Sequence, residues 1–196
     1  VSDSSNPSAL VLDFTSLPKN STVALENVQF GAIVGEVSVT TGEGNQLLAA
    51  DSKAQTLDLG AGNDTVWGGW GNDVIDSGDG NDIIYAETGD DIAAGGAGDD
   101  TIDGGAGNDT IRGEDGNDSI WGQDGNDVVD AGNGNNTVIG GAGDDQIGSG
   151  DGNDLLIGGD GNDRLDAGAG RRHRAGGAVD GIRLAVDQHV HGPTDR

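Results

Sequence analysis

The sequence predicts an all-β chain in which a short strand and a tight turn alternate, as in a parallel β-roll. A nine-residue unit repeats without interruption from Gly60 to Ala167, with glycine always third and an apolar residue always seventh. Glycine makes up 39 of 196 residues and aromatic residues only 3%, so turns must be frequent and a thick core is excluded. The twelve units begin at Gly60, Gly69, Gly78, Glu87, Gly96, Gly105, Glu114, Gln123, Gly132, Gly141, Gly150 and Gly159.

The seventh position predicts the strands. A flexible glycine-rich linker needs no apolar residue at every ninth position, whereas a short strand between turns does. A helix is excluded because each glycine would cost about 1 kcal/mol. The apolar residues are Val66, Ile75, Ile84, Ala93, Ile102, Ile111, Ile120, Val129, Val138, Ile147, Leu156 and Leu165.

The period continues upstream in a degenerate form. Residues 42–45 keep two glycines and the asparagine of the turn. We therefore expect degenerate coils over 24–59 and an irregular cap over 1–23 that protects the open end of the roll. Counting back by nines from Val66 gives Leu57, Leu48, Val39 and Phe30.

The net charge of −26 indicates the kind of partner. Of the 35 acidic residues, 32 lie within 1–170, beside only 4 basic ones. Nucleic acids and anionic lipids are disfavoured by such a charge, whereas a cation is favoured. The absence of cysteine excludes disulfides and thiolate zinc sites, and no apolar run approaches the roughly 18 residues of a membrane span.

The heptapeptide Gly-Ala-Gly-Asn-Asp-Thr-Val at 60–66, with its eleven successors, resembles the RTX, or haemolysin-type, calcium-binding repeat. The resemblance covers 60–167 and implies a right-handed parallel β-roll with two repeats per coil. Like turns would then stack every eighteen residues on alternating sides. Several Ca²⁺ ions would lie between consecutive turns of one side.

The resemblance assigns the metal ligands to two edges. Ca²⁺ takes six to eight hard oxygens, and a glycine turn offers carbonyls and a carboxylate. One edge would comprise Asp64, Asp82, Asp100, Asp118, Asn136 and Asp154, and the other Asp73, Asp91, Asp109, Asp127, Asp145 and Asp163. Carbonyl ligands are expected from glycines of the same turns: Gly60, Gly62, Gly69, Gly71, Gly78, Gly80, Gly96, Gly98, Gly105 and Gly107. Since Asn136 lacks the charge, the sites that touch it are predicted to be the weakest.

Energetics predict that the ion is needed for folding. Carboxylates about 4.8 Å apart repel by about 3 kcal/mol at an effective dielectric of about 20. Burial of one Ile or Val returns about 1.5–3 kcal/mol, before a backbone entropy of about 1–2 kcal/mol per residue is subtracted. We therefore expect calcium-induced folding, with the roll unfolded in calcium-poor cytoplasm and folded outside the cell.

The eighth positions, which point outward, divide into two unlike faces. One carries Trp67, Tyr85, Asp103, Trp121, Ile139 and Ile157, and the other Asp76, Ala94, Arg112, Asp130, Gly148 and Asp166. The apolar face favours packing on a neighbouring domain or a second copy. The alternative is a ligand surface on which the two tryptophans stack.

No catalytic constellation is evident, so an enzyme within these residues is not expected. The three histidines lie only in the tail, at His173, His189 and His191, which leaves the body without the usual general base. We expect a module of a secreted, extracellular bacterial protein that is exported by a type I-like route, although no export signal is seen. The alternatives are the repeat region of a larger secreted protease, lipase, epimerase or haemolysin, or a surface adhesin.

The segment 168–196 departs from the pattern and is predicted to be an atypical, disordered basic tail. Arg171, Arg172 and Arg174 stand where an Asp-rich sequence is expected. A frameshift explains this composition, because aspartate and threonine codons read out of phase give arginine and histidine. A genuine basic tail is the alternative.

Overall fold

The structure is a computed structural model that describes residues 10–13, 16, 18, 21–24, 31–168 and 173–174. These residues form two parallel sheets. The first sheet contains β1 (Leu10–Asp13), β3 (Gly31–Val34), β5 (Leu47–Ala49), β7 (Thr65–Trp67), β9 (Ile83–Tyr85), β11 (Thr101–Ala106), β13 (Ser119–Asp124), β15 (Thr137–Ala142), β17 (Leu155–Asp160) and β19 (His173–Arg174). The second contains β2 (Ser21–Ala24), β4 (Val37–Thr40), β6 (Thr56–Asp58), β8 (Val74–Asp76), β10 (Ile92–Ala97), β12 (Thr110–Asp115), β14 (Val128–Asp130), β16 (Gln146–Gly148) and β18 (Arg164–Asp166).

Consecutive strands alternate between the two sheets, and each pairs in parallel with the strand two further along the chain. Val66 pairs with Ile84 in the first sheet, and Ile75 pairs with Ala93 in the second. Both registers are eighteen residues, so two repeats form one coil. The predicted all-β parallel roll is confirmed. No helix within the described part of the chain is long and apolar enough to cross a membrane.

The core is mainly the file of seventh-position side chains that the two sheets contribute to the space between them. Eleven of the twelve are at most 4% exposed, and Leu165 is partly buried beside them. Each buried aliphatic side chain contributes about 1.5–3 kcal/mol. Upstream, the file continues through Leu57, Leu48 and Val39, which are also buried.

The third-position glycines allow the coils to stack closely. Gly80 has a φ of 145°, in the region that favours glycine. A Cβ on Gly80 would also overlap the carbonyl oxygen of Gly62, one coil earlier. Backbone conformation and close approach therefore both require glycine here.

Towards the N-terminus, the eighteen-residue register is lost before it reaches Phe30. Val39 pairs with Leu57, and Leu48 pairs with Val66, at the full spacing. Leu48 then pairs with Gly31, seventeen residues earlier, and the buried apolar side chain of β3 is Ile33. Phe30 itself lies outside the described residues. These coils lack the complete glycine turn, so nothing keeps their length constant.

The structure describes strands in both terminal segments, for which the sequence predicts an irregular cap and a disordered tail. Strands β1 and β2 pair with β3 and β4, within or at the limit of the segment 1–23 for which we expect an irregular cap. At the other end, β19 pairs with β17, and the other residues after Gly168 lie outside the described part. The division into four segments and the nature of the tail stay predictions.

Candidate metal sites

The turns place the fifth-position side chains in two columns, one along each edge of the roll. The first edge consists of the turns that precede strands of the first sheet, and the second edge consists of the other turns. Every fifth-position residue from Asp64 to Asp163 is at most 4% exposed. The structure therefore brings all twelve predicted side chains into two buried columns, but whether they bind metal stays a prediction.

One oxygen of each column carboxylate is engaged by the backbone. The N–H of Asp64 donates to Oδ1 of Asp82 at 2.7 Å, and the N–H of Asp109 donates to Oδ1 of Asp127 at 2.9 Å. The same bond links every fifth-position residue from Asp64 to Asp145 to the next coil on its edge. Oδ1 is thus a structural acceptor that joins neighbouring coils.

The second oxygen, Oδ2, has no such partner in most of the column. A buried carboxylate oxygen without a donor is costly, and it is the hard anionic ligand that Ca²⁺ prefers. Among the described residues, Oδ2 is buried without a hydrogen bond in Asp64, Asp73, Asp82, Asp91, Asp100, Asp109, Asp118, Asp127 and Asp145. The donor set therefore fits a hard cation along both edges.

Where the ninth position is glycine, Oδ2 of the next turn along the chain faces it. A Cβ on Gly104 would lie 2.7 Å from Asp109 Oδ2 and 2.9 Å from the carbonyl oxygen of Gly122. A carboxylate and a carbonyl oxygen thus converge on one small space. Sequence reasoning missed these carbonyls, although the restriction to small residues was visible at Gly68, Ser77, Ala86, Gly95, Gly104, Gly113, Gly122, Ala131, Gly140, Ser149, Gly158 and Ala167.

The first-position glycines predicted as carbonyl ligands take part in the backbone ladder. The carbonyl of Gly60 accepts the N–H of Asp79 at 2.8 Å, and that of Gly78 accepts the N–H of Ala97 at 2.9 Å. A carbonyl oxygen has a second lone pair, so this bond leaves capacity for a cation. No group of three or more His, Cys, Asp or Glu side chains that could hold a metal occurs within the described ranges. A bound ion would therefore depend on backbone oxygens as well as carboxylates.

Burial shifts the protonation of the columns. It raises the pKa of nine column carboxyls: to about 6 in Asp64, Asp73 and Asp145, to about 7 in Asp91, Asp100 and Asp109, and in the same direction in Asp82, Asp118 and Asp127. For Asp100, the negative charges of Asp82 and Asp118 raise the pKa further, and the donated N–H lowers it only in part. The charged columns are therefore unfavourable near neutral pH unless a cation compensates.

A second ladder, which sequence reasoning also missed, runs along the fourth positions with the opposite direction. The side-chain oxygen of Asn63 accepts the N–H of Asn81, one coil later, at 3.1 Å. Where the acceptor is aspartate, as at Asp99, the backbone and side-chain N–H groups of Asn117 donate to it and lower its pKa. These side chains are exposed, so the ladder links coils without any buried charge. The repeated Asn or Asp at this position was its signal in the sequence.

Asn136 differs from its column neighbours in the group that faces the site. Its Oδ1 accepts the N–H of Asp118 at 2.8 Å, as the aspartates do. Its Nδ2 donates to the carbonyls of Ala131 and Gly132, both at 3.2 Å. A donor therefore stands where the other turns carry an unpaired oxygen, which supports the prediction that the sites touching Asn136 are weak.

The outward faces are both partly apolar. On the first sheet, Trp67 and Tyr85 stack with centroids 5.7 Å apart and planes 14° apart. On the second sheet, the sixth-position residues Val74, Ile92 and Val128 are 39%, 41% and 45% exposed. The predicted contrast counted the sixth-position residues Ile83 and Leu155 on the first face but none on the second, and so overlooked this second apolar row. Binding of a partner or a second copy through Trp67, Tyr85, Trp121, Ile139 and Ile157 stays a prediction.

Comparison with known proteins identifies the repeat. A search of curated proteins finds no match to the chain. The family model of the RTX calcium-binding nonapeptide repeat, which spans four copies, matches at residues 40–75, 50–84, 76–111, 85–120, 103–138, 112–147, 121–156 and 139–172. These matches extend over more than half of the chain and include both columns. The chain therefore belongs to the RTX calcium-binding repeat family.

Proposed function

We propose that this chain is a non-catalytic module that binds several Ca²⁺ ions along both edges of its roll. The observation that carries the proposal is the set of nine buried Oδ2 atoms without a donor. Column carboxylates would supply charged ligands, and turn carbonyls would complete each shell. A bound ion supplies positive charge that offsets the repulsion within each column.

Calcium binding is proposed to drive folding. The raised pKa values of the column aspartates indicate that their charged forms oppose the closed roll. Ion binding to the folded state alone would stabilise it by mass action. At the affinity of extracellular modules, roughly 10⁻⁴ to 10⁻³ M, the roll would fold after secretion from a bacterial cell.

Circular dichroism of the full chain tests this coupling. With chelator at neutral pH, the spectrum should show little β-structure, and millimolar Ca²⁺ should induce it, while Mg²⁺ at the same concentration should not. Mg²⁺ demands near-ideal octahedral geometry and retains its waters. An identical β spectrum with chelator and with Ca²⁺ would refute calcium-induced folding.

A second proposal is that the module forms part of a larger secreted enzyme or toxin. The described body, 31–168, contains no histidine or cysteine, so catalysis would be carried by another domain. The complete open reading frame tests this, because it must then encode a protease, lipase, epimerase or haemolysin domain. A reading frame with repeats alone would favour the independent module or an adhesin, for which the stacked Trp67 and Tyr85 are the candidate surface.

A further inference from the structure

Three fifth-position residues of the roll carry a side-chain amide instead of a carboxylate. Eighteen residues before Asp64 lies Gln46, and eighteen before Asp73 lies Gln55. With Asn136, these residues are at most 4% exposed. The N–H of Gln46 donates to Asp64 Oδ1, and that of Gln55 donates to Asp73 Oδ1, both at 2.7 Å. The two glutamines therefore begin the columns.

In all three turns the amide nitrogen bonds to the first-position residue, four positions earlier. Asn136 Nδ2 donates to the Gly132 carbonyl at 3.2 Å, and Gln46 Nε2 donates to the Gly42 carbonyl at 3.4 Å. Gln55 Nε2 donates to Asp51 Oδ1 at 2.7 Å. An N–H donor thus engages oxygens of the turn, which is the electrostatic role that a cation would have.

Two further hydrogen bonds satisfy polar atoms without an ion, one in the turn of Gln55 and one in the turn of Asp154, the next coil after Asn136. Gln55 Nε2 also donates to the carbonyl of Gly35 at 3.0 Å. After Asn136 on the first edge, Asp154 Oδ2 accepts the hydroxyl of Ser149 at 2.9 Å. The two glutamines leave Oε1 buried without a donor, but a neutral amide oxygen costs less to bury than a charged carboxylate.

We infer that these amide-bearing turns replace the ion by a hydrogen-bond donor and bound the calcium array. The coils around Gln46 and Gln55, and the first-edge turns of Asn136 and Asp154, hold their structure without calcium. The carboxylate turns of Asp64, Asp82 and Asp100 on the first edge depend on it. The inference rests on the proposed function and adds that calcium dependence is unequal along the roll.

Hydrogen exchange of the full chain, with chelator and with saturating Ca²⁺, tests the inference. With chelator at neutral pH, residues 37–58 and the amides of Asp118 and Asn136 should exchange at least about tenfold more slowly than those of Asp82 and Asp100. With Ca²⁺, this difference should disappear. Uniform exchange with chelator, together with full protection by Ca²⁺, would overturn the inference and leave the proposed function intact. Protection that does not respond to Ca²⁺ would refute the proposed function instead.

Asn136→Asp tests the role of the amide directly, because it removes the donor and restores an unpaired carboxylate oxygen. With chelator, the amides of Asp118 and Asn136 should lose their extra protection, while calorimetry with CaCl₂ should detect additional bound calcium. The matched control is Asn135→Asp, which adds the same charge at an exposed fourth position of the same turn, where aspartate also occurs at Asp99. Unchanged protection and stoichiometry in Asn136→Asp, relative to this control, would overturn the inference.

Gln55→Glu is a second variant at the other end of the array. The change removes the amide donor to Asp51 and Gly35 and sets a carboxylate beside the Asp51 carboxylate. With chelator, residues 37–58 should lose the protection that the wild-type chain retains. Unaltered protection there would show that the amide does not close this turn.

Discussion

The backbone N–H of Asp91 donates to Oδ1 of Asp109 at 2.9 Å, while Oδ2 of Asp109 is buried without a donor. One carboxylate thus joins two coils through one oxygen and leaves the other for a cation. The same division recurs along both edges. The oxygen that joins the coils and the oxygen proposed to bind a cation are therefore different atoms of a single side chain, and substitutions can address them separately.

Asp109→Asn should weaken calcium binding without breaking the link between the coils. Asparagine keeps an Oδ1 that accepts the Asp91 N–H, but its amide presents a donor to the site, as Asn136 does. Calorimetry should show that the adjacent sites lose at least about tenfold in affinity, or about 1.4 kcal/mol. Asp124→Asn removes the same charge from an exposed turn position and should have a much smaller effect. Equal effects of the two variants would indicate that only overall charge matters.

Stability of the calcium-free roll should fall as the pH rises. Burial raises the pKa of six column carboxyls to about 6 or 7 in the folded chain, against the ordinary value of 3.8. The folded state therefore binds more protons than the unfolded state over this interval, and its stability is highest below about pH 4 and is lost through about pH 7. Circular dichroism in calcium-free buffer should show more β-structure at pH 5 than at pH 8. The reverse order would contradict the buried, unpaired state of these carboxyls.

Calcium affinity should have the opposite pH dependence. Ca²⁺ competes with protons for the same carboxylates, so the apparent affinity should be lower at pH 5 than at pH 8. Calorimetric titrations at the two pH values measure this difference directly. An affinity that does not change between them would argue against the column aspartates as ligands.

Ile111→Ala should destabilise the calcium-saturated roll by about 2–5 kcal/mol, because it leaves a cavity in the core between the sheets. Ile111 is 1% exposed, whereas Ile92 in the adjacent strand is 41% exposed. Ile92→Ala is therefore the matched control and should change stability by about 0.5 kcal/mol or less. Denaturant unfolding in saturating Ca²⁺ measures both. Similar losses would show that the core does not lie where the structure has it.

Gly80→Ala should prevent neighbouring coils from closing, because its Cβ would overlap the carbonyl of Gly62 at a φ of 145°. Gly148→Ala is the control, since the nearest atom to its Cβ would be the carbonyl oxygen of Val129 at 3.8 Å. This second change should be neutral or stabilise by up to about 1 kcal/mol. Thermal unfolding in Ca²⁺ separates the two. Tolerance of alanine at both positions would contradict the close stacking of the turns.

The nine-residue period was sufficient to predict the core file, and the family resemblance added the pairing of repeats that sets the fifth positions in columns on two edges. It says which residues stack, but not which atom of a side chain the backbone engages. The division of labour between Oδ1 and Oδ2 of Asp109, the fourth-position ladder through Asn63 and the carbonyls of ninth-position residues therefore required the structure. The period also could not be extended upstream to Phe30, because the coils before Val39 lack the glycine turn that keeps the repeat length constant.

Calorimetric titration of the full chain with Ca²⁺, while folding is followed by circular dichroism, tests the central claim most directly. The unpaired Oδ2 atoms in two columns predict several bound ions, on the order of one for each such oxygen, with β-structure that appears over the same calcium range. Binding of a single ion or none, or a β spectrum already complete before calcium is added, would contradict the account.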